Sequence, residues 1–331
     1  MVSWLVLALT LFGSLCEDPG VAPGLAVLTP EPLFAHVQYL AGPELEGRGV
    51  GQPGNEKAVA YIADVFEKSG LEPIDGETGY RQVFEKTAFD GKKFSMANVA
   101  GILEGRDKDL AREVLLVGAH FDHIGRIGEA VYPGADDNAS GTAVLLGVAS
   151  ALAKYGPRPK RTICFVAFNG EEGNFNDPSR PQFWSLAGST AFAQRKPLGD
   201  RPIVGMINMD MVGRYLFEDV LALPSVAVVH STPNPFGEAV AQAKASCRLG
   251  VFQAPLGYLT WTNDAYRSDH APFAQQGIPI LWLSTSMHVD YHRPTDRLEK
   301  VRPEQLARIA RFVYLTLVAA ADAPAETFAH R

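Results

Sequence analysis

Residues 112–123 read REVLLVGAHFDH. The run from Val114 to Ala119 is apolar or small throughout and lacks the in–out alternation of a half-exposed strand, so it describes a strand buried on both faces over 113–119. It ends on polar side chains able to do chemistry, His120, Asp122 and His123. Downstream the pattern repeats: a helix over 140–154, a strand over 162–168, a helix over 186–195, a strand over 202–209, a helix over 236–248, a strand over 278–284 and a last helix over 303–321. Upstream, EPLFAHVQYLA (31–41) and NEKAVAYIADVFEKSG (55–70) carry helix periodicity and end signals, and QVFEK (82–86) and MANVAGILEG (96–105) read as short strands. Apolar strands alternating with helices predict an α/β fold: a single domain, with a mostly parallel mixed β-sheet core and helices on both faces. GVGQPG (49–54) is a literal G-x-G-x-x-G, but no strand precedes it and Pro53 sits inside it, so a nucleotide loop is rejected.

A chain of 331 residues can bury a sizeable core, and 47% hydrophobic with 20% charged residues is the composition of a soluble globular enzyme. The formal charge of −7 and the absence of a basic block argue against nucleic acid as a partner. WLVLALTLFGSLC (4–16) is too short to span a bilayer and fits the apolar region of a secretory signal, with cleavage expected between Cys16 and Ala26. No Lys or Arg precedes this run, and Leu15 argues against a lipid-modified Cys16. The expectation is an exported protein, periplasmic or extracellular, with no stable membrane span after processing. Residues 17–30, rich in Pro, Gly and Ala, read as a linker, giving signal and linker over 1–26, one catalytic domain over 27–326 and a tail over 327–331. Cys164 lies inside TICFVAF as a buried inert thiol and Cys247 has no obvious partner, so no disulfide framework is expected.

Ligands of such sheets bind outside the carboxyl ends of the strands. After EVLLVGA comes HFDH (120–123), after TICFVAF comes NGEE with Glu171 and Glu172, and after PIVGMIN comes MDM with Asp210. After IPILWLSTS come Met287 and HVDYHRPTD, with His288 and His292. Each cluster alone is ordinary surface chemistry. Together, imidazoles and carboxylates at equivalent strand ends form a ligand set for a borderline divalent cation, zinc above all. Without a Cys ligand, and rich in carboxylates, the set is that of a catalytic site. GADDNASG (134–141) places adjacent acids in a tight turn at a helix start. Asp, Asn, Ser and Gly are ordinary turn residues, but two metals about 3.5–4 Å apart need an anion between them, and one of these carboxylates could supply it.

GAHFDHIG, PGADDNASGTAVLLGVA, FVAFNGEEG, INMDMVGR and SDHAPFAQQGIPILWLSTSMHVDYHRPTD occur in this order over about 118–300. Together they resemble the M28 family of metallopeptidases, the co-catalytic two-zinc aminopeptidases, and ELEGRGVGQPGNEKAVAYIADVF resembles that family's N-terminal segment. The resemblance implies a zinc-aminopeptidase fold, two zinc ions per chain, and peptide substrates with a free N-terminus. One zinc would be bound by His120 and Asp210, the other by Glu172 and His292, with Asp137 bridging. Glu171 would be the general base, Asp122 would orient the His120 ring, and Asp269 would stand near Glu171. Tyr266 is a candidate for stabilising the oxyanion, and the peptide after Asp137 would be cis. One departure is the insertion GNFNDPSRPQFWSLA (173–187), read as an aromatic lid with Phe175, Phe183 and Trp184. It resembles the longer segment of glutaminyl cyclases, single-zinc relatives that release ammonia from N-terminal glutamine. That activity, and a catalytically inactive binding homologue, are the alternatives to an aminopeptidase.

Overall fold

The computed structural model describes residues 18–329 apart from 75, 78, 92, 174–184, 248 and 260–266. Helices α1 (Ala22–Val27), α2 (Pro30–Leu40) and α3 (Pro53–Ser69) precede strands β1 (Glu72–Pro73), β2 (Arg81–Thr87) and β3 (Lys93–Leu103). Strand β4 (Val114–His120) leads through the hairpin β5 (Gly125–Ile127) and β6 (Ala130–Tyr132) to α4 (Gly141–Tyr155), and then come β7 (Thr162–Phe168), α5 (Ala187–Arg195) and β8 (Ile203–Met209). The chain continues through β9 (Ser225–His230), α6 (Gly237–Cys247), β10 (Gly250–Pro255), α7 (Leu256–Leu259), α8 (Ala271–Ala274), β11 (Ile280–Ser284) and α9 (Pro303–Asp322).

The strands form a nine-stranded sheet in the order β1-β3-β7-β4-β8-β11-β9-β10, with β2 also paired to β3. Its middle, β7-β4-β8-β11, is parallel, while β3 joins β7 and β9 joins β11 in antiparallel fashion. Alternate residues of the central strands feed two cores. Leu115, Val117, Ile163, Phe165, Ile207 and Leu281 enter the larger core with the apolar faces of α2, α4 and α9. Val114, Leu116, Val166, Phe168, Met206 and Ile280 enter the smaller one with Phe192 of α5 and Phe273 of α8. Burial of each such side chain stabilises by roughly 1.5–3 kcal/mol, so a strand cannot slip by one residue without exchanging its two cores.

Helix starts follow the sequence signals: Pro30, Pro53 and Pro303 each open a helix, where a missing N–H costs nothing. Helix α3 ends at Gly70, whose left-handed φ of 79° lets its N–H return to the Glu67 and Phe66 carbonyls. The G-x-G-x-x-G stretch is the entry to α3; a Cβ on Gly54 would lie 1.7 Å from the Leu45 carbonyl oxygen. The reading of 17–30 as a linker is corrected. Val21, Leu25 and Leu28 recur on one side of α1 and are buried, and the Tyr314 hydroxyl of α9 donates to the Val21 carbonyl at 3.3 Å. Cys164 is buried, and burial pushes its thiol well above its ordinary value. No helix among the described residues is long and apolar enough to cross a membrane.

Candidate metal centre

Because β7, β4, β8 and β11 are parallel neighbours, the residues that follow them meet at one edge. His120 ends β4 and Asp210 directly follows β8; Glu171 and Glu172 come just after β7, and His292 lies in the loop after β11. His120 Nε2 is 3.4 Å from Asp210 Oδ1 and 3.5 Å from Asp137 Oδ1. His292 Nε2 is 2.9 Å from Glu172 Oε2 and 3.4 Å from Asp137 Oδ2. Two triads therefore share one carboxylate, each with its own oxygen of Asp137. Ligands about 2.0–2.1 Å from a tetrahedral zinc are roughly 3.3 Å from one another, close to these separations. Asp137 Oδ2 and His292 Nε2 are buried and, near as they stand, make no well-directed hydrogen bond. Buried polar atoms that converge without bonding one another suit a shared cation, and the protein groups present fit zinc.

The turn 134–141 separates its two acids by function. Asp137 faces the triads. Asp136 faces away: its Oδ1 accepts the Gly213 N–H at 2.6 Å and its Oδ2 lies 3.2 Å from His288 Nε2. The backbone N–H groups of Asp136 and Asp137 both donate to the carboxylate of Asp296, at 3.0 Å to its Oδ2. Asn138 ties the turn to β8, donating to the Met209 carbonyl at 2.9 Å and accepting the N–H groups of Gly141 and Met211. The Asp137–Asn138 peptide is cis.

Asp122 does different work from that expected. Its carboxylate accepts the backbone N–H groups of Glu171 at 3.1 Å and Glu172 at 3.3 Å. The His120 ring turns its Nδ1 to the Asp122 backbone carbonyl at 3.2 Å, leaving the carboxylate 3.9 Å away. His288 belongs to neither triad, since it pairs with Asp136. His123, counted only as a strand-end residue from sequence, donates from Nδ1 to Glu172 Oε1 at 2.7 Å.

The two adjacent glutamates are driven apart. Burial pushes the Glu171 carboxyl well above its ordinary range; Glu172, Asp210 and Asp269 add to the rise while His120 opposes it. Burial also acts to raise Glu172, but His292 and His123 outweigh it and hold that carboxyl well below its ordinary range. His292 is lifted to about 11, its burial overcome by Glu172 and Asp137. A carboxyl of raised proton affinity beside one of lowered affinity is how a site divides proton transfer from ligation.

Asp269 is fully buried, and burial together with Asp122 and Asp210 raises its carboxyl to about 7, against His120 and Ser189. Its folded-state value lies above the unfolded one, so the folded protein binds the extra proton. The charge it carries at higher pH is destabilising, and stability falls as pH rises from about 4 to 7. Asp269→Asn is therefore expected to stabilise the zinc-free protein by about 1–3 kcal/mol at pH 8 and by almost nothing at pH 4. Calorimetric unfolding at both pH values checks this, and an equal gain at both would exclude the titration as cause.

Tyr291 carried no role from sequence, yet its ring stacks on His292 at 3.8 Å between centroids and an interplanar angle of 24°. Burial raises its hydroxyl far above the ordinary value, and Asp137, Glu172, Glu171 and Asp210 push the same way, so it stays a neutral O–H. The only clue in sequence was its place directly before His292. Tyr266 and the expected aromatic lid residues Phe175, Phe183 and Trp184 lie outside the described residues.

The model of Peptidase family M28 matches residues 98–317. A protein of Arthroderma otae named "Probable leucine aminopeptidase" is 25% identical over 265 residues, which cover 76% of this chain and 66% of that protein. The chain spans between about a third and two thirds of the length of the curated relatives it matches. Among solved structures, a zinc aminopeptidase from Bacillus subtilis superposes with a TM-score of 0.65 at 17% identity, covering 89% of this chain and 96% of that one. An Acidobacteriales bacterium glutaminyl cyclase does so with a TM-score of 0.66 at 21% identity, covering 92% and 97%.

Proposed function

The chain belongs to peptidase family M28, and we propose on that premise that it removes N-terminal residues from peptides, using two zinc ions held at the edge of the sheet. The observation that carries this reading is the pair of triads sharing Asp137. His120 and Asp210 would hold one zinc and Glu172 and His292 the other, with Asp137 offering an oxygen to each. When bound, zinc supplies a Lewis acid that acidifies water, polarises the scissile carbonyl and balances developing negative charge.

The chain's own groups do the rest. Glu171 removes a proton from the attacking water and hands it to the leaving amine, a task suited to a carboxyl whose affinity for protons burial has raised. Asp122 fixes the Glu171–Glu172 backbone, so the base keeps its place relative to the ligand beside it. The Tyr291 hydroxyl donates to the oxygen on which charge develops, and stacking on His292 holds it there. Carboxylate oxygens not engaged by zinc receive the substrate's free α-amino group. The apolar run at 4–16 supports export as the setting for this activity.

Tyr291→Phe is expected to lower kcat by about 10–10² while KM stays within about threefold, because the hydroxyl acts only as charge develops. Steady-state kinetics on a leucine anilide give the answer, and a change confined to KM would assign Tyr291 to substrate binding instead. The cyclase alternative has one observation in its favour, the insertion over 173–187. Against it stand both complete triads, where a single zinc needs only one. Zinc content, assayed with leucine- and glutamine-anilide substrates, separates the two. Two zincs per chain with free amino acid released support the peptidase. One zinc with ammonia released from glutamine, and no cleavage, supports the cyclase.

A further inference from the structure

Arg48 is fully buried. Its hydrogen bonds among the described residues all go to backbone carbonyls: Nε to Phe121 at 2.7 Å, Nη1 to Leu40 at 2.6 Å and Pro133 at 2.7 Å, and Nη2 to Gly134 at 2.9 Å. Those carbonyls belong to three separate segments. Leu40 ends α2, Phe121 lies between His120 and Asp122, and Pro133 and Gly134 open the turn that carries Asp137.

The backbone around Arg48 is also unusual. Glu46, Gly47 and Arg48 are consecutive left-handed residues, with φ of 47°, 78° and 55°. A long side chain in that region is disfavoured and persists only where its surroundings over-determine it. Here they do. Asn55 Nδ2 donates to the Arg48 carbonyl at 2.9 Å, Arg126 bonds Glu46 at 2.7 Å, and Gly49 bridges to His123. A Cβ on Gly47 would stand 2.1 Å from the Tyr132 carbonyl oxygen, so the loop has no room to relax. Burial lowers the Arg48 guanidinium to about 10, with Asp122, Asp137, Asp296 and Glu172 opposing the fall, so it stays cationic at neutral pH.

We infer that Arg48 is a positioning residue of the metal centre: its guanidinium fork holds the end of β4 and the turn at 133–134 at the separation that brings His120 and Asp137 to one ion. This rests on the zinc reading given above. A planar fork of fixed donors can bridge carbonyls on several segments at once, and an ammonium on a flexible stem cannot. Outer partners of this kind alter metal affinity by about 10–100-fold when removed.

The test is zinc affinity measured by chelator competition on the full chain, with thermal unfolding of the zinc-free and zinc-loaded protein beside it. Arg48→Lys is expected to bind zinc at least about tenfold more weakly than the wild type and to show a smaller zinc-induced rise in melting temperature. Arg48→Ala leaves a guanidinium-shaped gap lined by the same carbonyls. Millimolar methylguanidinium is expected to restore its zinc affinity, whereas methylammonium at the same concentration is not. Variants that melt lower without zinc yet keep wild-type zinc affinity would reduce Arg48 to a general structural role and overturn the inference. Wild-type protein that takes up no zinc would remove the metal centre itself, and this inference with it.

Discussion

Glu171→Gln is expected to retain both zinc ions and to lose at least about 10²-fold in kcat. Glu171 is buried, and it belongs to neither triad. Its backbone is anchored through its N–H to Asp122, so the isosteric amide keeps the local geometry. What it loses is the capacity to accept a proton at the carboxylate and return it to the leaving amine. Metal analysis and single-turnover kinetics on the same preparation read the two halves of the expectation. A Gln variant of full activity would take Glu171 out of the mechanism. Loss of zinc in that variant would instead make Glu171 part of the ligand set.

Asp137→Asn and Asp136→Asn are expected to behave oppositely although the residues are neighbours in a single turn. Asp137 alone offers one oxygen to each triad. Its neutral, one-oxygen replacement removes the anion between two cations, so zinc content falls from two to one or none and kcat/KM drops by on the order of 10³-fold or more. Asp136 instead accepts the Gly213 N–H and faces His288. Its Asn variant keeps both zincs and loses about 1–3 kcal/mol of stability from the weakened buried contacts. Zinc content of the two purified variants is the deciding measurement, and equal depletion in both would refute the division of labour within the turn.

The central strands were legible because burial on both faces leaves an apolar run, and 162–168 is a strand to the residue. The residues that converge at the sheet edge were legible because parallel neighbours place their following residues there, so His, Glu and Asp at strand ends could be grouped before any contact was known. Strands β9 and β10 escaped notice. β10 lies at the sheet margin with a largely exposed face, and its mixed composition resembles a loop. Helix α1 escaped because Pro, Gly and Ala dominate it, although Val21, Leu25 and Leu28 carry the buried face. The roles of Asp122, Asp296 and Arg48 were hidden for a different reason. Each binds backbone groups far along the chain, and no local pattern records a partner of that kind. His288 and His292 look alike in composition within HVDYHRPTD; the resemblance singled out His292, and the packed turn sets His292 beside Asp137 and His288 beside Asp136.

The order of strands also sets a timetable. Among the described residues β11 is the last strand in sequence, yet it is inserted between β8 and β9 in the finished sheet. A chain emerging from the ribosome can pair β4, β7 and β8 early, but the sheet keeps an open slot, and the triad of Glu172 lacks His292, until β11 and the loop after it have been made. The second triad is thus completed only after the strands that carry His120, Glu172 and Asp210 have been made.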